Sequence, residues 1–99
     1  WALPGGYVDA TESPSVAARR ECLEETRLDL RVEGLTGVHH VLVEGGGLLV
    51  LAYVGELLGD RPEPTAEAPE SGFFDPGSIP ELGFSAHREA VAAWRAGRV

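Results

Sequence analysis

The chain contains no lysine, and all eight of its basic residues are arginines set against sixteen acidic residues. Its formal net charge is therefore −8 at pH 7. Sequence-independent binding of DNA or RNA needs a basic face that displaces counterions, so nucleic acid is not an expected partner. An anionic membrane surface is disfavoured for the same reason. The single cysteine, Cys22, forms no internal disulfide, which is typical of a reducing cytoplasm.

Long apolar segments are absent too. The longest apolar run, Leu48 to Val54, is far shorter than the ~20 residues that cross a bilayer. The first residues show no basic stretch followed by an apolar one, so we expect no secretory signal peptide. A chain of 99 residues is long enough for one small domain, which we expect to be cytoplasmic.

Hydrophobic periodicity predicts a mixture of helices and strands. A helix is predicted from Pro14 to Thr26, because Ser13 is a suitable N-cap and proline is tolerated at the first helical position. A second helix is predicted from Ser85 to Ala96, with Trp94 on its buried face. Helices and strands in this order are typical of an α/β or α+β domain.

Strands are predicted between these helices. The first covers Leu28 to Glu33, which alternates apolar and polar residues. Two further runs, Val38 to Val43 and Leu48 to Leu57, flank a segment with three glycines, which predicts a hairpin. Residues 59–72 are predicted to form a loop, and Phe73-Phe74 a short strand.

Three glutamates on the first predicted helix form the most informative cluster. Residues three and four apart lie on one face of a helix, so Glu21, Glu24 and Glu25 project within one turn of each other. Carboxylates this close repel one another, and their oxygens suit a hard cation such as Mg²⁺ or Mn²⁺. The alternative is a solvated acidic face without a ligand.

The residues upstream favour the first interpretation. The spacing of the charged and glycine positions resembles the Nudix box, in which Gly, five residues, Glu and seven residues precede Arg-Glu, two further residues and Glu-Glu. The matching residues are Gly6, Glu12, Arg20, Glu21, Glu24 and Glu25. The resemblance extends to Trp1-Ala2-Leu3-Pro4-Gly5-Gly6, which looks like the end of the strand and the turn that precede the box.

This resemblance implies a single Nudix domain over residues 1–99, an α/β/α sandwich built around a mixed sheet. It implies a pyrophosphohydrolase dependent on Mg²⁺ or Mn²⁺ that cleaves a nucleoside diphosphate linked to another moiety. ADP-ribose-like compounds or a nucleoside triphosphate are the expected small-molecule substrates. A catalytically impaired Nudix-like module that binds a nucleotide or a protein is the alternative.

Site residues follow from the same resemblance. Glu24 and Glu25 are expected to be metal ligands, Glu21 a ligand or the general base, and the Gly5 carbonyl a further ligand. Arg20 is expected to hold the carboxylates of the helix in register.

The resemblance also implies residues that support the box and a further acid. Gly6 and Glu12 are expected to support the box, with Glu12 tying its loop to the helix. Glu70 stands where some family members place an extra acidic ligand or base. Glu67 competes with Glu70 for this role because the alignment of the long loop is open.

Four residues depart from this pattern or compete with it. Arg27 occupies the glycine position after the helix, where a left-handed backbone is usual. Cys22 fills an aliphatic position and is expected to be a small buried residue. His39 and His40 are adjacent on a strand, point to opposite faces and so make a poor metal chelate.

The strands that usually precede the box are not in this chain, which begins at Trp1. A sheet without them exposes its edges. We therefore expect association, either with a missing N-terminal segment or with a second copy as a homodimer.

Overall fold

The computed structural model describes residues 1–59 and 61–97. Two helices flank a hairpin in chain order. They are α1 (Pro14–Thr26), β1 (Leu30–Val43), β2 (Gly46–Leu57) and α2 (Ser85–Arg95). None of the described helices is long and apolar enough to cross a bilayer.

Helix α1 has the bounds that the sequence predicts. The Ser13 hydroxyl accepts a hydrogen bond from the Val16 N–H at 3.4 Å, and Pro14 follows the cap. The helix is capped at its C-terminal end by Arg27, whose φ of 63° and ψ of 13° are left-handed. Its N–H donates to the Leu23 carbonyl at 2.9 Å, so arginine adopts the conformation usually left to glycine.

The predicted hairpin is confirmed, and its first strand is longer than expected. Strands β1 and β2 are antiparallel, and Val43 pairs with Gly46 across the turn. Gly45 and Gly46 have φ values of 90° and 150°, which explains glycine at the turn. The loop predicted for residues 59–72 contains no helix or strand among its described residues.

A single strand, β1, replaces the two that the sequence predicts over residues 28–43. The pairing register shifts between Val32 and Gly34 and again between Leu35 and Gly37. The half-buried positions are even-numbered as far as Thr36 and odd-numbered from Gly37, so the alternation changes at the second shift. An extra residue in one strand of an antiparallel pair has this effect, and glycine is common at such sites. The interruption in periodicity therefore marks a bend in one strand.

The core is small and made largely of small side chains. Its buried hydrophobic residues are Ala17, Cys22, Leu28, Leu82, Ala86 and Ala90. Both helices contact the hairpin. Cys22 is 6% exposed, as expected for a small buried residue, and burial raises the pKa of its thiol.

Several predicted details are wrong. Phe73 and Phe74 form no strand, because no described segment pairs with them, and both are exposed. The segment at residues 1–6 is not a strand either; the Trp1 carbonyl accepts from the Gly83 N–H at 2.9 Å. Helix α2 ends one residue early, and Trp94 is 41% exposed instead of buried. Among the described residues, the sheet contains antiparallel pairing alone.

Candidate functional site

Arg20 is the centre of an ion-pair network on α1. Its guanidinium lies 2.7 Å from Glu12 Oε1, 2.9 Å from Glu21 Oε1 and 3.2 Å from Glu24 Oε2. Glu24 is one helical turn beyond Arg20, so the helix itself brings this pair together. The planar fork of a guanidinium presents several donors at once, which allows one arginine to serve three carboxylates. The carboxylates of Glu12, Glu21 and Glu24 are thereby held against one guanidinium.

Glu12 connects the loop before α1 to this network. Its Oε1 accepts from the Asp9 N–H at 3.0 Å, and Arg20 Nη2 also donates to the Tyr7 carbonyl at 3.2 Å. The hydrogen bond from Arg20 lowers the pKa of Glu12, and the Asp9 N–H lowers it further. Glu12 conversely raises the pKa of Arg20. The loop is therefore attached to the helix by charge-assisted bonds.

Gly5 and Gly6, in the turn before the box loop, lie against Glu25 and Glu21. The Gly5 N–H donates to Glu25 Oε1 at 3.0 Å. A Cβ built on Gly6 would lie 2.5 Å from Glu21 Cδ, so a side chain at this position would displace the carboxylate. Burial raises the pKa of Glu25, the Gly5 bond opposes that shift, and the neighbouring Glu21 adds to it.

Glu21, Glu24 and Glu67 meet at one point. One carboxylate oxygen from each lies within 4.8 Å of the other two. Glu67 comes from the loop after β2, so the site joins α1 to a segment more than forty residues further along the chain. Of the two loop acids left open by the sequence, the structure brings Glu67 to this point. Glu70 is not in the group.

The donor set fits a hard divalent cation. It consists of carboxylate oxygens alone, which Mg²⁺ and Mn²⁺ prefer over softer metals. Among the described residues, Arg20 is the cation that pairs with Glu21 and Glu24, and it also neutralises Glu12. The group therefore retains excess negative charge, which a bound cation can balance.

Comparison with known proteins identifies the family. The NUDIX domain model matches residues 1–94. The chain belongs to the Nudix family.

Two curated relatives are also similar to this chain. The chain is 33% identical over 86 residues to an ADP-ribose pyrophosphatase of Methanocaldococcus jannaschii, covering 85% of this chain and 51% of that protein. It is 40% identical over 45 residues to a MutT-like protein of Streptomyces ambofaciens, covering 46% of this chain and 29% of that protein. The chain thus spans about half of the first relative and less of the second.

Solved structures confirm the expected Nudix fold class. A MutT NUDIX hydrolase from Burkholderia pseudomallei is similar with a TM-score of 0.78 and 28% identity, covering 94% of this chain and 75% of that one. A UDP-X diphosphatase matches with a TM-score of 0.79 and 24% identity, covering 99% and 52% of the two chains. The second likeness concerns the fold alone.

Sequence reasoning missed how the loop after β2 is attached to α1. The Thr65 hydroxyl donates to the Glu25 carbonyl at 2.9 Å, and the Glu63 N–H donates to the Thr26 carbonyl at 2.8 Å. The prolines at 62, 64 and 69 are a visible signal of a stiff loop. Nothing in the sequence indicates which helix end the loop contacts.

The adjacent histidines lie on different faces of β1. His39 is half-buried, and its Nδ1 lies 3.0 Å from Glu89 Oε2 on α2. His40 is exposed. Among the described residues, neither histidine belongs to the group formed by Glu21, Glu24 and Glu67.

Proposed function

We propose that this chain carries the catalytic centre of a divalent-metal-dependent pyrophosphohydrolase. The observation that carries the proposal is the meeting of the Glu21, Glu24 and Glu67 carboxylates beside Arg20. A purely solvated acidic face has no need to bring a loop glutamate against two helix glutamates, since like charges repel at this distance. Membership of the Nudix family supports the same activity.

Each residue of the site has a proposed role. Glu21 and Glu24 bind the cation from α1, with Glu25 and the Gly5 carbonyl as further ligands. Glu67 is a ligand or the general base, the role first expected of Glu70. A bound Mg²⁺ or Mn²⁺ supplies positive charge that neutralises phosphate oxygens and activates water. Arg20 touches the carboxylates and acts by holding them in place.

The proposed reaction is attack by water on one phosphorus of a pyrophosphate. A bond forms between the water oxygen and phosphorus, and the bond from that phosphorus to the bridging oxygen breaks. The water proton passes to Glu21 or Glu67, each of which offers a carboxylate at the site. Charge develops on the phosphate oxygens, so fixed groups around them provide most of the catalysis.

A nucleoside diphosphate linked to a second moiety is the proposed substrate class. One relative is an ADP-ribose pyrophosphatase, which supports ADP-ribose or a compound like it. Another is a MutT-like protein. Because the family resemblance also covers nucleoside triphosphates, a substrate panel needs both kinds of compound.

Glu24→Gln tests the function directly. We expect at least a ~100-fold loss of product release from ADP-ribose or a nucleoside triphosphate with Mg²⁺ or Mn²⁺, because a ligand charge is removed. The melting temperature without metal should change little, since the variant relieves repulsion with Glu21 and Glu67 and weakens only a half-exposed pair with Arg20. Glu33→Gln, an exposed change on β1, is the charge-matched control and should retain activity.

Near-full activity of Glu24→Gln would contradict the assigned site. Mn²⁺ binding by the parent chain without turnover of any compound in the panel would instead favour the binding-module alternative. Saturable metal binding by the folded state should also raise the melting temperature of the parent chain and not that of Glu24→Gln.

A further inference from the structure

The carbonyls at the C-terminal end of α1 accept hydrogen bonds from a distant segment of the chain. The last carbonyls of a helix have no partner within it and need donors from elsewhere. Here the donors come from the loop after β2: the Glu63 N–H for the Thr26 carbonyl, and the Thr65 hydroxyl for the Glu25 carbonyl. Pro64 lies between them and has no N–H to offer. The loop is thus attached at two positions that flank a proline.

Thr65 also closes a turn that contains Glu67. The Thr65 N–H donates to the Ala68 carbonyl at 3.0 Å, and the Ala68 N–H donates to Thr65 Oγ1 at 3.1 Å. A hydroxyl can donate one hydrogen bond and accept others. Because this hydroxyl accepts from Ala68 while donating to Glu25, it links the turn at residues 65–68 to the helix end.

The position of Glu67 requires such a restraint. Its exposed carboxylate lies within 4.8 Å of acidic oxygens from Glu21 and Glu24. Like charges at this distance repel, so a free loop would move the Glu67 carboxylate away from Glu21 and Glu24 in the absence of a cation. The prolines at 62, 64 and 69 restrict the backbone on both sides of the turn. They do not attach it to α1, whereas the Thr65 hydroxyl does.

We infer that Thr65 is a positioning residue that holds Glu67 at the cation site through its hydroxyl. The inference rests on the proposed function, since it treats Glu67 as part of that site. Thr65 itself belongs to neither the carboxylate group nor the ion-pair network, and it acts through Glu67. Removing the hydroxyl breaks the link to the Glu25 carbonyl and the bond from Ala68 together.

The test is Mn²⁺ affinity, measured by calorimetry on the chain without substrate. Thr65→Val keeps the shape of the side chain and removes the hydroxyl, and we expect it to weaken Mn²⁺ binding ~10-fold, as for partners that orient ligands. Thr65→Ser keeps the hydroxyl and should restore the affinity of the parent chain. In a Glu67→Gln background, Thr65→Val should cause no further loss, since its effect passes through that carboxylate.

Two results would overturn the inference. One is unchanged Mn²⁺ affinity in folded Thr65→Val. The other is an equal loss from Thr65→Val with and without Glu67→Gln, which is the result of a general structural role. Circular dichroism establishes that each variant is folded, and Thr65→Ala replaces Thr65→Val in the same comparison if the valine variant unfolds.

Glu24→Gln separates this inference from the proposed function. Unchanged Mn²⁺ affinity in Glu24→Gln would contradict the metal site itself and the inference with it. A loss in Glu24→Gln together with no effect of Thr65→Val would contradict the role of Thr65 alone.

Discussion

The two helices of this protein differ in the charges that they place at their C-terminal ends. Helix α2 has Arg95 in its last turn, where a cation interacts favourably with the negative end of the helix dipole. Helix α1 has no basic residue in its last turn and places Glu24 and Glu25 there. These two acids therefore lie at the end of the helix where negative charge is least favourable.

The packing of the helices differs in the same way. Helix α2 buries Ala86 and Ala90, which are four residues apart and form one apolar stripe. Helix α1 buries Ala17, Cys22 and Thr26, and because Thr26 is polar its buried face is less apolar. Local rules are typically violated where a segment carries function. The helix that carries the candidate site depends on contacts from outside it, namely the ion pair of Arg20 with Glu12 and the loop that binds its C-terminal carbonyls.

Among the changes that test this contrast, replacement of Arg20 should have the largest effect on activity and stability. Arg20→Gln leaves the Glu21 and Glu24 carboxylates without their counter-charge, and we expect a loss of at least ~10-fold in kcat/KM. The melting temperature should also fall, most at low ionic strength, where repulsion is least screened.

Arg19→Gln is the matched control on the same helix. It breaks an exposed pair with Asp29, and exposed pairs contribute little to stability. Enzyme kinetics and melting curves at two salt concentrations check both variants. Equal effects of the two changes would contradict a special role for Arg20.

A change at Arg27, the left-handed residue that caps α1, should have an intermediate effect on the free energy of unfolding. Arg27→Gly removes the cost of a side chain at φ 63°, which is ~1–2 kcal/mol. Glycine also makes the unfolded chain more flexible, which destabilises the folded state by ~0.4–1 kcal/mol. We expect a net gain of about 0.5–1 kcal/mol in the free energy of unfolding, measured with urea. Arg27→Ala keeps a Cβ in the same conformation and should show no such gain. A glycine variant no more stable than the alanine variant would argue against backbone strain.

The smallest expected effect concerns α2 and is the contribution of His87 to the pH dependence of stability. Burial lowers its pKa below 6.5, and its Nδ1 accepts from the Leu3 N–H at 3.1 Å. The unfolded chain therefore takes up a proton first as the pH falls, so stability is lost from about pH 6.5 downward to the lowered pKa.

His87→Asn can still accept that bond and does not titrate. The difference in melting temperature between parent and variant should therefore be constant above pH 7 and change below pH 6.5. A difference that stays constant across the whole range would refute the role of His87.

Local signals predicted the parts of this protein that local interactions form. Ser13 and Pro14 mark the start of α1, and the glycines at 45 and 46 mark the hairpin turn, because each acts on neighbouring backbone. The box spacing likewise placed Glu21 and Glu24 on one face of a helix, since helical periodicity alone decides that neighbourhood.

Tertiary structure decided the rest. Whether Phe73 and Phe74 form a strand depends on a partner strand, and whether β1 is one strand depends on its pairing with β2. Which loop acid reaches the helix depends on the Thr65 and Glu63 contacts with the last carbonyls of α1, more than thirty residues away in the chain. The sequence by itself therefore determined the helix and its acids, because their spacing is set by backbone geometry. Only the folded chain determined that Glu67 joins them, because that contact depends on long-range hydrogen bonds that no local pattern encodes.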